Sequence, residues 1–251
     1  MDDRLIREQE FHDARFAAGA DTRSADRFYA INRASDTYFR ARIDAMPMGS
    51  AVLDYGCGEG AYAALHAADR GLHVTAIDLS PIAVERAADS ARAAGLAAQI
   101  DFRVMNAEHL DLADDSFDFI CGLGVLHHLK IGPAMAEITR VLRTGGEAVF
   151  VEPLGHNPAI NLYRSRTPEQ RTEDEHPLCV DELALITSYF GRSELSYFHL
   201  FGLLALPLVG TRLLAPAVRT LDRLDQRAFR RLPRLQRHAW MVGMRLAGPM
   251  R

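Results

Sequence analysis

Apolar residues come in short runs along the middle of the chain, near 51–55, 73–77, 100–104, 117–121 and 146–152, each bounded by turn residues. Runs of that length read as strands buried on both faces, and the alanine-rich, partly polar stretches between them read as helices. Ser80-Pro81 supplies an N-cap followed by proline at the first helical position, so a helix is predicted from there to about Ala94, ended by Gly95. Regular alternation of strand and helix implies βαβ crossovers and a parallel sheet covered on both sides. Residues 3–18 and 24–45 read as helices, the second opening at Ser24 with Phe28, Ile31, Tyr38, Phe39 and Ile43 largely on one side. Met46-Pro47-Met48-Gly49 breaks that pattern before the first strand. Ser193–His199 and Ala239–Leu246 are candidate sixth and seventh strands.

The first strand runs into Gly56-Cys57-Gly58-Glu59-Gly60, and Asp78 ends the second. Glycine allows a sharp turn and a ligand closer than a Cβ would permit, and a helix predicted from Glu59 to Arg70 would aim its N-terminal amides at that ligand. An acid at Asp78 is placed to accept ribose hydroxyls. The loop is G-x-G-x-G with Ala61 in the sixth position, whereas a dinucleotide fingerprint needs G-x-G-x-x-G for the pyrophosphate. Glu59 argues the same way, because an acid is repelled by a pyrophosphate and not by an α-amino group. S-adenosylmethionine is therefore the better cofactor reading and a nicotinamide oxidoreductase the weaker one.

With these residues the chain resembles the class I methyltransferases that use S-adenosylmethionine, in particular the UbiE-like small-molecule group. The resemblance continues through Val74–Ser80, Val104–Leu110, Asp115–Leu129 and Leu142–Pro153, covering about residues 45–155. It implies a doubly wound, mostly parallel seven-stranded sheet with N-terminal helices, the last two strands forming an antiparallel hairpin at the edge. It also implies residue roles. Asp54, Gly56, Cys57 and Gly58 would orient and line the methionine part; Asp78 would take the ribose hydroxyls; Leu79, Asn106, Ala107 and Glu108 would surround the adenine; Gly122 and Leu123 would lie beside the sulfonium. Asn106 stands where the family usually has aspartate, and its amide oxygen can still accept a hydrogen bond.

Methyl transfer from a sulfonium asks the protein for alignment and, with a hydroxyl acceptor, for a proton acceptor. No metal is required and no metal ligands are read from the sequence. The His127-His128 pair follows the fourth strand, where open α/β sheets place their ligands, so these two are the catalytic candidates, His127 first. The alternative is that both are packing residues. A free imidazole value would make turnover rise through the histidine range. In the connection after strand five, His156, Asn157, Tyr163, Arg164 and His176 are substrate-region candidates, or else part of a solvated, salt-bridged loop. Tyr29 and Tyr38, with Arg33, are candidates for a lid that excludes water.

Composition sets outer bounds. At 251 residues and 48% hydrophobic the chain can bury one full core, and a net charge of -4 argues against nucleic acid as a partner. Cys57, Cys121 and Cys179 form no C-x-x-C pair, and the charged N-terminus has no apolar signal segment, so a cytoplasmic setting is expected. Thr211–Arg251 carries ten arginines against Asp222 and Asp225, with Leu214, Val218, Leu221, Leu224 and Ala228 on a helical stripe. That tail is either an anionic-surface contact or an insertion packed by one face. The expected division is 1–45 as a helical cap and 46–251 as the catalytic domain, with 152–190 the substrate-region connection and 200–238 an arginine-rich helical insertion. The activity expected is methylation of a small molecule, most simply at a hydroxyl oxygen, with carbon or nitrogen as alternatives.

Overall fold

The computed structural model describes residues 3–18, 28, 30–168, 171–172 and 175–251. Seven strands form one sheet: β1 (Ala51–Tyr55), β2 (His73–Asp78), β3 (Ile100–Val104), β4 (Phe117–Leu123), β5 (Leu142–Pro153), β6 (Phe190–Phe198) and β7 (Met241–Pro249), in the order β3-β2-β1-β4-β5-β7-β6. The first five are parallel, and β7 runs antiparallel between β5 and β6. The order reverses between β1 and β4, and a crevice opens at the carboxyl ends of the strands there.

Eight helices are described: α1 (Asp3–Ala18), α2 (Arg33–Asp44), α3 (Tyr62–Asp69), α4 (Pro81–Ala94), α5 (Ile131–Val141), α6 (Pro158–Ser165), α7 (Val180–Ser188) and α8 (Leu214–Arg231). Alanine is what lets α3 and α4 lie close on the sheet: Ala63, Ala64, Ala67, Ala68, Ala87 and Ala91 are buried in one core layer with Val52, Val74 and Phe119. The opposite layer is filled by Leu53, Ile77, Ile120, Phe150, Met135 and Ile138. Ser80 caps α4 by accepting from the Ala83 amide, and Gly95 ends it at φ 74°, as its sequence predicted.

One boundary and one buried face differ from the sequence reading for a visible reason. The helix after the glycine loop starts at Tyr62 and not at Glu59, because Gly58 (φ 58°) and Ala61 (φ 42°) are left-handed and no helix can begin until the loop has turned. The apolar stripe of α8 keeps Val218, with Leu214 and Leu221 packed against the core, and continues through the buried Asp225 and Phe229, while Leu224 is exposed. Asp225 is drawn inward because its carboxylate accepts the Leu200 and Phe201 amides, a task that a hydrophobic pattern does not register. The start of the second predicted helix at Ser24 lies outside the described residues; within them the helix is Arg33–Asp44. Among the described residues no helix is long and apolar enough to cross a membrane, and the three cysteines are unpaired.

Candidate functional site

The crevice at the strand ends is a cavity of about 1410 Å³. Its floor is the loop between β1 and α3. The amides of Gly56 and Cys57 both donate to the Ile77 carbonyl at 2.9 Å, pinning the loop to β2. A Cβ on Gly56 (φ 80°) would lie 2.5 Å from the Val125 side chain, so glycine is needed there for space as well as conformation. A Cβ on Gly58 would meet nothing within 4 Å; it would stand in the cavity itself.

Asp78 closes this loop from β2. One carboxylate oxygen accepts the Gly58 amide at 2.9 Å and the other the Ser80 amide at 3.0 Å. Each oxygen keeps a lone pair for a further donor from the cavity. Asp54 lies one layer below: it is buried, accepts the Ala64 amide at 2.9 Å, and does not line the cavity. Burial pushes its pKa up to about 7, against the Ala64 hydrogen bond and with the charge of Asp78 adding. Its part is to hold the start of α3, and direct contact with a ligand is corrected to support from behind.

Cys57, Leu79, Asn106, Ala107 and Leu123 line the cavity as expected positions. Asn106 caps its own turn, its side-chain oxygen accepting the Glu108 amide at 2.9 Å. Glu108 and Gly122 do not line it. Glu108 is drawn off by Arg4 and by the Lys130 amide at 2.7 Å, and Gly122 is packed so that an added Cβ would come within 2.7–2.8 Å of Phe150 and Val125.

The histidine pair sits on a tight turn at the cavity wall, and the residue that places it was not singled out from the sequence. Glu152, at the end of β5 and wholly buried, accepts the Val125 and Leu126 amides at 2.9 Å each on one oxygen. Its other oxygen lies 2.8 Å from His127 Nδ1. With the ring proton on Nδ1, His127 donates to that carboxylate and leaves the Nε2 lone pair, 3.8 Å from Glu175. Burial, helped by Arg164, His176 and His12, pushes the His127 pKa down to about 3. The ring is thus already neutral where a free imidazole would titrate, and the expected rise of turnover through the histidine range is withdrawn. Burial raises Glu152 to about 7, against the amides of Leu126 and Val125.

Tyr163 and Arg164 line the cavity, and Phe28, Ile160, Trp240 and Met241 form an apolar wall beside them, with the Phe28 and Tyr163 rings 4.5 Å apart. Four other expected positions are elsewhere. Tyr38 packs against Phe198 and lines a separate, smaller pocket. Asn157 is the N-cap of α6, accepting the Ala159 and Ile160 amides. The His156 carbonyl pairs with His238, and His156 does not line the cavity. His176 is exposed and bonds Glu182 at 2.7 Å. For Asn157 and His176 a local partner satisfies the polar group before any ligand could. Tyr29 lies outside the described residues.

Helix α1 covers the mouth. Arg4 donates to the His128 carbonyl at 2.9 Å and pairs with Glu108, Asp13 bonds Ser80, and Glu8 and His12 face His128. Nothing in the spacing of residues 3–18 pairs them with a turn more than a hundred residues away, so these contacts had no signal in the sequence.

Residues 53–150 match the methyltransferase-domain family. The methyltransferase GfsG of Streptomyces halstedii is 38% identical over 112 residues, covering 44% of this chain and 40% of that protein. The ubiquinone/menaquinone biosynthesis C-methyltransferase UbiE of Bartonella tribocorum is 36% identical over 104 residues, 40% of each chain. The chain spans less than half the length of these curated relatives. Among solved structures, a geranyl diphosphate methyltransferase in complex with SAM superposes with a TM-score of 0.63 over 92% of this chain and 93% of its own, at 16% identity. Phosphoethanolamine N-methyltransferase 2 of Haemonchus contortus superposes at 0.63, over 86% of this chain and 52% of its own, also at 16% identity. At such identities the likeness is one of fold.

Proposed function

We propose that the chain is a methyltransferase that uses S-adenosylmethionine and that it moves the sulfonium methyl to a hydroxyl oxygen of a small, largely apolar molecule. The observation that carries the oxygen reading is the geometry of the Glu152–His127 pair: an imidazole fixed by a carboxylate on one nitrogen, its other nitrogen turned to the cavity wall. An amine or an acidic carbon would not need it. Gly56–Gly58 would hold the methionine part of the cofactor, Asp78 its ribose, and Leu79, Asn106 and Ala107 its adenine. The acceptor would lie against the apolar wall of Phe28, Tyr163 and Trp240 that lines the cavity. The His127 proton acceptor takes the hydroxyl proton as the oxygen attacks the methyl carbon, the carbon–sulfur bond breaks, and S-adenosylhomocysteine leaves. Helix α1 is the lid that keeps water from the sulfonium. The experiment that tests the oxygen reading compares hydroxyl, amine and activated-carbon acceptors of one scaffold, reading methylated product by mass.

Asp78→Ala is expected to weaken S-adenosylhomocysteine about ten- to a hundredfold in calorimetry, since charge-assisted hydrogen bonds are worth roughly 1.5–3 kcal/mol and the same side chain holds the Gly58 amide. Unchanged affinity in a folded variant would remove Asp78 from the site.

The proposal extends to the arginine-rich segment. Arg212, Arg219, Arg223, Arg227, Arg230, Arg231, Arg234 and Arg237 are exposed, with Leu213, Leu224 and Leu232 exposed among them at 63%, 42% and 59%. Such a face fits peripheral contact with an anionic lipid surface. Co-sedimentation with vesicles containing anionic lipid, lost at high salt and absent with neutral lipid, is the expected result; binding to neither would leave the face a solvated one, and equal binding to both would overturn charge as its cause.

A further inference from the structure

Glu8 and His12 stand one turn apart on α1, and His128 faces them from the turn after β4. Glu8 Oε2 lies 3.4 Å from His12 Nε2 and 3.3 Å from His128 Nδ1. Those separations are long for charge-assisted hydrogen bonds, which run about 2.7–2.9 Å. Both Glu8 Oε2 and His128 Nδ1 are buried without a hydrogen-bond partner, and Glu8 is only 3% exposed. An orphaned carboxylate oxygen aimed at two imidazole nitrogens is costly unless something sits between them.

The same distances suit a metal ion. With zinc–nitrogen bonds of about 2.0–2.1 Å and zinc–oxygen bonds of about 2.0–2.2 Å, neighbouring donors of a tetrahedral site are about 3.3–3.6 Å apart. All three donor atoms lie within 4.8 Å of one another, and the two rings meet nearly edge-on, at 74°. The second Glu8 oxygen is held by the Thr172 hydroxyl, the kind of outer partner that orients a ligating carboxylate. Glu8, His12 and His128 all border the cavity, so a fourth position faces it.

We infer that Glu8, His12 and His128 form a site for a divalent transition ion of the zinc kind, with its open position turned to the acceptor. Two imidazoles and one carboxylate favour Zn²⁺, Co²⁺ or Fe²⁺ over Mg²⁺ and Ca²⁺, which prefer oxygen. The ion would tie the α1 lid to the wall beside His127. Resting on the methyl-transfer reading, it would also take the acceptor hydroxyl oxygen as a ligand and make its proton easier for His127 to remove. A second set, His127, His128 and Glu175, shares His128. It is the weaker one, because it would occupy the nitrogen that takes the proton, and its His127–Glu175 gap is 3.8 Å.

The test is titration of the chelator-stripped, full-length protein with Zn²⁺ by calorimetry and with Co²⁺ by visible absorption, beside a separate titration with S-adenosylhomocysteine. One equivalent of Zn²⁺ and the strong visible band of four-coordinate Co²⁺ are expected. His12→Ala and Glu8→Gln should each weaken Zn²⁺ by more than about a hundredfold, since even an outer-shell partner is worth 10- to 100-fold. Glu175→Gln should bind it as the parent does. No stoichiometric binding by parent protein that still takes S-adenosylhomocysteine overturns the site, as does loss confined to Glu175→Gln. Zn²⁺ binding in protein that fails to take S-adenosylhomocysteine would instead overturn the methyltransferase reading and leave the metal site standing.

Discussion

His127→Ala is expected to lower turnover 10²- to 10⁴-fold, about 3–5 kcal/mol of barrier, with S-adenosylhomocysteine affinity nearly unchanged. The imidazole borders the cavity and hydrogen-bonds Glu152, while the glycine loop and Asp78 that would hold the cofactor make their contacts without it. His128→Ala should lose less by the same assay, unless a bound metal is present to be lost with it. Glu152 supplies a second check. Glu152→Gln keeps the shape and can still accept from the turn, but it no longer balances the imidazolium that forms as the proton arrives. Its turnover should fall while cofactor binding stays, whereas Glu152→Ala would leave three buried donors without a partner and cost stability as well. If His127→Ala keeps near-full turnover on the true acceptor, the acceptor is an amine or an already acidic carbon, and the base assignment fails.

Gly58→Val is expected to abolish cofactor binding in a protein that still folds. An added Cβ there meets no protein atom within 4 Å, so the side chain does not disturb the core; it fills cavity space instead. The left-handed φ of 58° adds a penalty of about 1–2 kcal/mol for a residue with a Cβ, more for a branched one. A ligand present at a hundred times its dissociation constant stabilises the fold by about 2.7 kcal/mol, and that increment should disappear in a thermal melt with S-adenosylhomocysteine. Parent-like stabilisation of the variant would mean that the loop is not the cofactor site. Gly56→Val is the contrasting control: its Cβ collides with Val125, so there the fold should suffer too.

Much of the architecture was legible because its causes are local. Five apolar runs with capped helices between them can form little else than a parallel sheet, and Ser80, Pro81 and Gly95 mark a helix by the hydrogen bonds and dihedral angles they permit. The glycine loop and Asp78 were legible for the same reason, since a strand end, a turn and the next strand end are neighbours through the βαβ unit itself. Where the reading went astray, a local partner had been overlooked: Asn157 as a cap, His176 beside Glu182, Asp225 beneath two amides.

What only the tertiary structure decided is how polar groups far apart in the chain share a proton or an ion. The residues of the glycine loop, the strand order within the first half and the position of the histidine pair follow from spacing, because periodicity and turn chemistry act over a few residues. The buried Glu152 behind His127, the arrival of α1 with Glu8 and His12, and the apolar wall from Phe28 to Trp240 do not, because each joins segments tens to hundreds of residues apart. Burial there also shifted the His127 ring far from its free value, and the depth of a side chain is a property of the packed sheet and its lid, not of the residue or its neighbours in sequence.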